Sequence, residues 1–291
     1  MQAPMQASYF ERIRRAVALI EGRLADGEAP SLEELAEAAV MSKFHFHRVF
    51  RILTGETCNQ TVKRLRLARG AGGLADGTQT VTDAALDAGY ATSQAFAKAV
   101  RAETGQTASS LKRDPDKLAQ VIEKFSVPEI AGAEAPEVSV ELVSLDPFEV
   151  VAIRTEGIYP DLNATYHRLF EIAGGQQNVA AIIGIPQGDI DAGDIGERAF
   201  DCALRLGSMP QVLPDDANRL EVRAGKALWL RHRGGYDGLQ GSVDRLYGAA
   251  IGLGAGLADR PCLYHYLDDP EETPERQLRT DTLLPVAGSI G

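Results

Sequence analysis

Lys43, Phe44, His47, Arg48 and Arg51 fall in the run SKFHFHRVFRILTGET, Ser42 to Thr57. Each of these side-chain types can read double-stranded DNA. An arginine fork bonds a guanine edge bidentately, a histidine bonds a base or a phosphate, and an aromatic ring touches a thymine methyl. Fifty residues on, Thr92 to Thr107 reads TSQAFAKAVRAETGQT. In that register Phe46 falls on Phe96, Arg48 on Lys98, Arg51 on Arg101 and Thr54-Gly55 on Thr104-Gly105. The second copy offers Thr92, Ser93, Gln94 and Lys98. Gln suits adenine, the hydroxyls suit phosphates, and Lys suits a phosphate or a guanine. Ala95 and Ala97 leave it fewer polar groups, so it reads as the weaker of the two for direct recognition.

A second set of candidates is aromatic. Phe200, Trp229, Tyr236, Tyr264 and Tyr266 lie in segments that alternate like strands, and they are expected to wall a small-molecule cleft. Signals for catalysis and metal binding are poor. His45 and His47, two apart on a helix, face different directions and do not share a metal. HExxH, GxSxG and Walker-type loops are missing from the sequence, and Gly252, Gly254 and Gly256 follow a predicted helix instead of a strand. Asp268 to Glu272 reads as a solvated acidic loop. No catalytic residue, metal or cofactor is therefore expected.

Positioning the first set requires helices. Leu32 to Ala39 and Val81 to Ala88 are short Ala-rich amphipathic segments, one ahead of each basic run. A short helix, a tight turn and a longer helix make a helix-turn-helix, whose second helix enters the major groove. Tyr9 to Leu24 reads as an opening helix, with Ile13, Val17, Ile20 and Leu24 at helical spacing. Ser31 and Glu34 form a capping box for the next one. Thr57 to Asp76 reads as one connecting helix. About twenty residues at about 1.5 Å each span about 30 Å, close to the 34 Å that separates recognition helices on one DNA face. Gly70, Gly72 and Gly73 interrupt it, which means either close packing against a neighbour or a bend.

Asp116 to Phe125 is predicted helical, and Ser126 to Glu137, with Pro128, Pro136 and Gly132, reads as a linker. Beyond it the period changes. Val138, Val140 and Leu142 alternate, and Val150 to Ile153, Ala180 to Ile185 and Cys262 to Leu267 read as strands. A second duplication is present here. Arg154 to Leu162 (RTEGIYPDL) matches Arg231 to Leu239 (RHRGGYDGL) at one offset, and Arg168-Leu169-Phe170 continues it against Arg245-Leu246-Tyr247. Each copy is expected to be a strand, a Gly-x-Tyr turn and a helix, with Gly157-x-Tyr159 paired to Gly234-x-Tyr236. Two such α+β halves would enclose a cleft at their pseudo-twofold junction.

The predicted organisation is an all-α double helix-turn-helix domain over 1–115, a linker over 116–136, and a duplicated α+β domain over 137–291. The net charge of −11 is divided unevenly. Residues 1–120 carry 16 Lys and Arg against 14 Asp and Glu, and residues 121–291 carry 14 against 27. A polyanion is attracted by the first part and repelled by the second. Cys58, Cys202 and Cys262 are odd in number, far apart and in no CxxC pair, which fits a reduced cytoplasm. No apolar run reaches the roughly 18 residues a membrane span needs.

The N-terminal pattern, over about residues 8–113, resembles the AraC/XylS family of bacterial transcription regulators through its paired units, its joining helix with Arg66-Leu67, and the run SKFHFHRVF. Residues 137–291 resemble the GyrI-like effector-binding domains. The two Gly-x-Tyr repeats and the closing run Tyr266-Leu267-Asp268-Asp269-Pro270, Thr273-Pro274-Glu275, Thr280-Asp281 and Leu284-Pro285-Val286 carry that likeness. The resemblance implies that Phe44, His47 and Arg48 face DNA, and that a small molecule is sensed by the C-terminal domain. It implies RNA polymerase as a further partner. Val100, Ala108 and Tyr90 stand where the family usually has Phe, Pro and Phe. Tyr264 stands where a Glu associated with cationic ligands is common, so the expected effector is a small neutral apolar or aromatic one. The alternatives are a ligand-sequestering or hydrolytic detoxification protein with its own DNA module, and a nucleoid-type binder with no sequence preference.

Overall fold

The computed structural model describes residues 3–75, 77–126, 139–156, 162–188 and 199–288. Residues 127–136 of the expected linker and the Gly157-x-Tyr159 turn lie outside the described residues, and the first part of that linker, 116–126, is helical. The chain divides into two compact units. One gathers Phe10–Val40 and Leu53–Gly132; the other gathers Met1–Tyr9, Met41–Ile52 and Ala133–Gly291.

The first of these is helical. It contains most of α1 (Ala3–Ala25), then α2 (Leu32–Ala38), α4 (Cys58–Ala75), α5 (Val81–Asp87), α6 (Ser93–Thr104), α7 (Ala108–Lys112) and α8 (Pro115–Ser126). Between α2 and α4 runs α3 (Lys43–Thr54), nearly all of which belongs to the other unit. The duplication is visible in the bounds: α3 and α6 start and end fifty residues apart (43 against 93, 54 against 104). Both short helices begin with a capping box, Ser31 with Glu34 and Thr80 with Asp83. Both turns pass through the left-handed region, Val40 at φ 52° in the first and Gly89 at φ 79° in the second. Leu67, Ala71 and Leu74 of α4 bury against Phe96 and Val100 of α6, Leu111 of α7, and Leu118 and Phe125 of α8.

Close packing accounts for two of the three α4 glycines. A Cβ on Gly70 would lie 2.5 Å from the Phe96 ring, and one on Gly73 would lie 3.1 Å from Ala84. Gly72 has open space. The helix runs unbroken past all three.

The other unit is built on an antiparallel sheet with nine strands among the described residues. Its strands are β1 (Glu141–Leu145), β2 (Phe148–Glu156), β3 (Val179–Pro186), β4 (Ala199–Leu206), β5 (Asn218–Val222), β6 (Gly225–Arg233), β7 (Gly256–Leu257), β8 (Leu263–Tyr266) and β9 (Arg279–Ala287). The order is β1-β6-β9-β8-β3-β4-β2-β5, with β7 also on β9. This order is a palindrome of two halves, β1-β2-β3-β4 and β5-β6-β8-β9. Strands β1 and β2 recur as β5 and β6 at an offset of 77 residues (141 against 218, 148 against 225). Each half gives its first strand to the other: β1 pairs with β6, and β5 with β2. The pseudo-twofold junction is the β3–β8 ladder, with Gly184 opposite Tyr264. Strand β1 starts at Glu141, inside the alternating stretch predicted from Val138.

Helices α9 (Leu162–Ile172) and α10 (Leu239–Gly252) pack on one face of this sheet. Tyr166 of α9 donates to the Ile183 carbonyl at 2.9 Å, and Ser242 of α10 lies 2.8 Å from His232 Nδ1 on β6. The opposite face carries Val150, Ile183, Ile185, Ala203, Leu263 and Leu283.

Candidate functional site

The helix expected to be the second DNA reader, α6, presents a clean outward face. Phe96 and Val100 are buried, while Gln94, Lys98 and Arg101 are exposed at one helical spacing. The Thr92 hydroxyl accepts from the Ala95 amide and caps the helix, and Gly105 at φ 71° ends it. Thr92 therefore has a structural duty beside any phosphate contact, and Ser93 is half-buried.

The helix expected to be the first DNA reader, α3, is enclosed. Lys43 is exposed and Phe44 half-buried, but His45, Phe46, His47, Arg48, Val49 and Phe50 are all buried. Within its own unit, α3 meets α10. Arg48 Nη1 donates to Asp244 Oδ1 at 2.6 Å, and Nη2 donates to Gln240 Oε1 at 2.6 Å. Arg51 forks onto the same carboxylate at 3.0 and 2.9 Å. The Arg48 guanidinium also sits 5.6 Å from the Tyr247 ring centroid. His45 lies 2.6 Å from the Tyr247 hydroxyl through Nδ1 and 2.8 Å from the Ala258 carbonyl through Nε2. Burial pushes the His45 pKa down to about 4.

Four of the five aromatic candidates share the helix-covered face. Gly184 faces Tyr264 and Ile182 faces Tyr266 across the junction. Tyr266 makes edge contacts with Tyr236 at 5.3 Å and Tyr166 at 6.1 Å, and Phe200 lies 6.2 Å from Tyr264. Gly184 is what lets these rings converge. A Cβ there would lie 2.5 Å from Phe200 and 2.9 Å from the Tyr266 hydroxyl. Phe200 and Tyr264 are buried, whereas Tyr236 is 40% exposed.

Trp229 does not join this set, which corrects the expectation that it walls one cleft with the other four. It pairs with Leu283, which pairs with Leu263, and partners across an antiparallel ladder share a face. Trp229 therefore lies on the opposite side of the sheet, two strands from β8, with Arg231 stacked 5.3 Å from its ring. That opposite face also holds a cavity of about 360 Å³, lined in part by Phe44, Ile185, Leu220, Val222, Leu263 and Pro285.

Sequence reasoning missed Tyr166, Gly184 and Cys202. Tyr166 was readable as an aromatic on the amphipathic helix of the first half, but its meeting with Tyr266 depends on the fold. Burial raises the Tyr166 hydroxyl well above its ordinary pKa and pushes the Cys202 thiol up to about 12 and the Cys262 thiol up to about 11. The face is thus a set of neutral rings around uncharged thiols, suited to stacking on a flat apolar molecule. Asp268 binds Arg279 by a two-pronged ion pair at 2.7 and 3.0 Å, so this part of the acidic run has a structural partner.

Comparison with known proteins agrees with both parts of the reading. Residues 139–287 match the GyrI-like small molecule binding domain, and residues 35–114 match a helix-turn-helix domain. The bifunctional transcriptional activator/DNA repair enzyme Ada of Escherichia coli (strain K12) is 35% identical over 98 residues, which are 33% of this chain and 27% of that protein. The right origin-binding protein of the same strain is 29% identical over 104 residues, 36% of this chain and 35% of that one. The chain thus spans about a third or less of the length of these two relatives. An uncharacterized conserved protein from Listeria innocua superposes with a TM-score of 0.41 at 15% identity, over 53% of this chain and 94% of that chain. No helix among the described residues is long and apolar enough to cross a membrane. The chain belongs to the GyrI-like small molecule binding domain family and carries an AraC-type helix-turn-helix DNA-binding domain ahead of that domain.

Proposed function

We propose that this protein is a sequence-specific transcription regulator that reads duplex DNA with α3 and α6 and senses a small neutral aromatic molecule on its tyrosine-lined face. The observation that carries the reading is the outward row Gln94, Lys98 and Arg101 on the second helix of a unit written twice. An amide followed by two cations along one groove-facing row matches adenine readout at the helix start with phosphate contacts beyond it. Lys43, Phe44, His47, Arg48 and Arg51 are the equivalent readers on α3. RNA polymerase is the downstream partner that a regulator of this layout implies, and the cytoplasm is where it meets DNA.

The effector is bound and not turned over. Thiols held near 11 and 12 are not nucleophiles at neutral pH, and Tyr264 stands where the family resemblance would place a carboxylate able to act as a base. Selection of duplexes from a random pool, followed by salt titration, tests the DNA half. Lys98→Ala should weaken binding across all sequences and lower the salt slope by about one. A pool without a consensus would favour a nucleoid-type binder instead. For the effector, a neutral polycyclic aromatic and a cationic dye should be titrated against the wild type, Tyr266→Ala and Trp229→Phe. Binding that survives Trp229→Phe but fails in Tyr266→Ala supports the tyrosine face. A ligand consumed with time would replace this reading with the detoxification one.

A further inference from the structure

Asp244 receives three N–H groups from two arginines, Arg48 and Arg51, and Gln240 receives a fourth. Gln240, Asp244 and Tyr247 stand at i, i+4 and i+7 on α10 and so form one ridge. That ridge offers α3 what a DNA backbone offers: an anionic oxygen pair for forked guanidinium groups, a neutral acceptor beside it, and a flat ring beneath. Arg48 is 2% exposed. A side chain in that position cannot also reach a base edge. The α6 face, by contrast, keeps Gln94, Lys98 and Arg101 in solvent.

We propose that α10 is a built-in competitor for the first recognition helix: its Asp244 occupies Arg48 and Arg51 in place of DNA phosphate, and holds the protein in a state that reads DNA through α6 alone. This inference rests on the assignment of α3 and α6 as DNA readers. The affinity of the whole chain for a two-site operator is then reduced by the fraction of molecules in which α3 is released. Acidic charge in general does not explain the arrangement, because the contact is geometric. The carboxylate meets both guanidinium groups at 2.6 to 3.0 Å, and the neighbouring histidine is bonded separately to Tyr247 and Ala258.

The test uses the full chain and a duplex selected from a random pool by the Asp244→Asn variant. That variant should bind the duplex about tenfold or more tightly than wild type. It should also protect two adjacent major grooves where wild type protects one. Asp237→Asn removes the same unit of charge from an exposed position at the start of the same helical region, and should leave wild-type affinity and footprint unchanged. Tyr247→Phe, which deletes the bond to His45 while keeping the ring in the core, should move part of the way toward Asp244→Asn. Equal affinity and a two-groove footprint for wild type and Asp244→Asn would overturn the inference while leaving the DNA-reading assignment intact. Equal tightening by Asp237→Asn would reduce it to bulk charge and overturn it too. An Asp244→Asn chain that selects no sequence would overturn the DNA-reading assignment itself, and the inference with it.

Discussion

Arg154 and Arg231 occupy one structural position twice. Arg154 forks onto Asp201 at 2.7 and 3.0 Å across the β2–β4 ladder, and Arg231 forks onto Asp281 at 2.7 and 2.9 Å across the β6–β9 ladder. The two bridges differ in burial. Asp201 is almost fully enclosed and also accepts from Gln187 at 2.8 Å, whereas Asp281 is somewhat more open and its arginine stacks on Trp229. Both arginines are a third or more exposed, so solvent screens much of the attraction. Asp201→Ala is expected to cost about 2 kcal/mol and Asp281→Ala about 1 kcal/mol. Urea unfolding of both variants checks this, and equal losses would show that the extra bond from Gln187 contributes nothing.

The α4 glycines give a prediction with two signs. Gly72→Ala meets open space and should stabilise the helical unit by about 0.5–1 kcal/mol through helix propensity. Gly70→Ala drives a methyl into the buried Phe96 ring and should destabilise by about 1–3 kcal/mol. Thermal melts of the two variants should move in opposite directions.

Val40 carries a cost that its counterpart avoids. A β-branched residue at φ 52° is strained, and the second unit has Gly89 at that place in the turn. Val40 is 63% exposed, so little apolar contact is lost on its removal. Val40→Gly should stabilise by about 1 kcal/mol, measured as a raised urea midpoint.

Stability should fall on mild acidification. Burial is the main cause of the low His45 pKa; the Ala258 and Arg260 backbones and the charge of Asp259 oppose it, and Arg48 adds to it. The unfolded chain takes up a proton near pH 6.5, and the folded one only near 4. Between these values the unfolded state holds more protons, so stability drops as pH falls, by up to about 3 kcal/mol. His265, held below its ordinary value by burial, adds a slope of the same sign. Urea midpoints at pH 7.5 and 5 should differ less in His45→Gln than in wild type. An unchanged difference would mean that His45 is not held neutral.

What the sequence disclosed follows from where the information sits. The capping box of Ser31 and Glu34, and the repeated basic helices, are written within a few residues and could be read directly. The pairing of halves was legible because one offset carries Arg154 to Arg231. The purpose of Gly70 was not, because Phe96 lies on another helix and only packing brings its ring over the glycine. Trp229 was misplaced because its side of the sheet depends on the register of β6 against β9, which no local pattern encodes. The enclosure of Arg48 was invisible for the same reason: its partner, Asp244, lies 196 residues away.

The exchange of first strands between the halves bears on how the chain is made. Strand β1 emerges from the ribosome long before β6, and β2 before β5, yet those are the partners they bond. At about 5–20 residues per second, the nascent first half stands with open strand edges for on the order of ten seconds. Its own β3-β4-β2 ladders can form by then, but β1 has no partner and the free edges of β2 and β3 stay open until the second half arrives. Chaperone dependence should therefore be greatest for chains stalled just before residue 218, and a messenger cut there should yield aggregate where one reading through to β9 yields soluble protein.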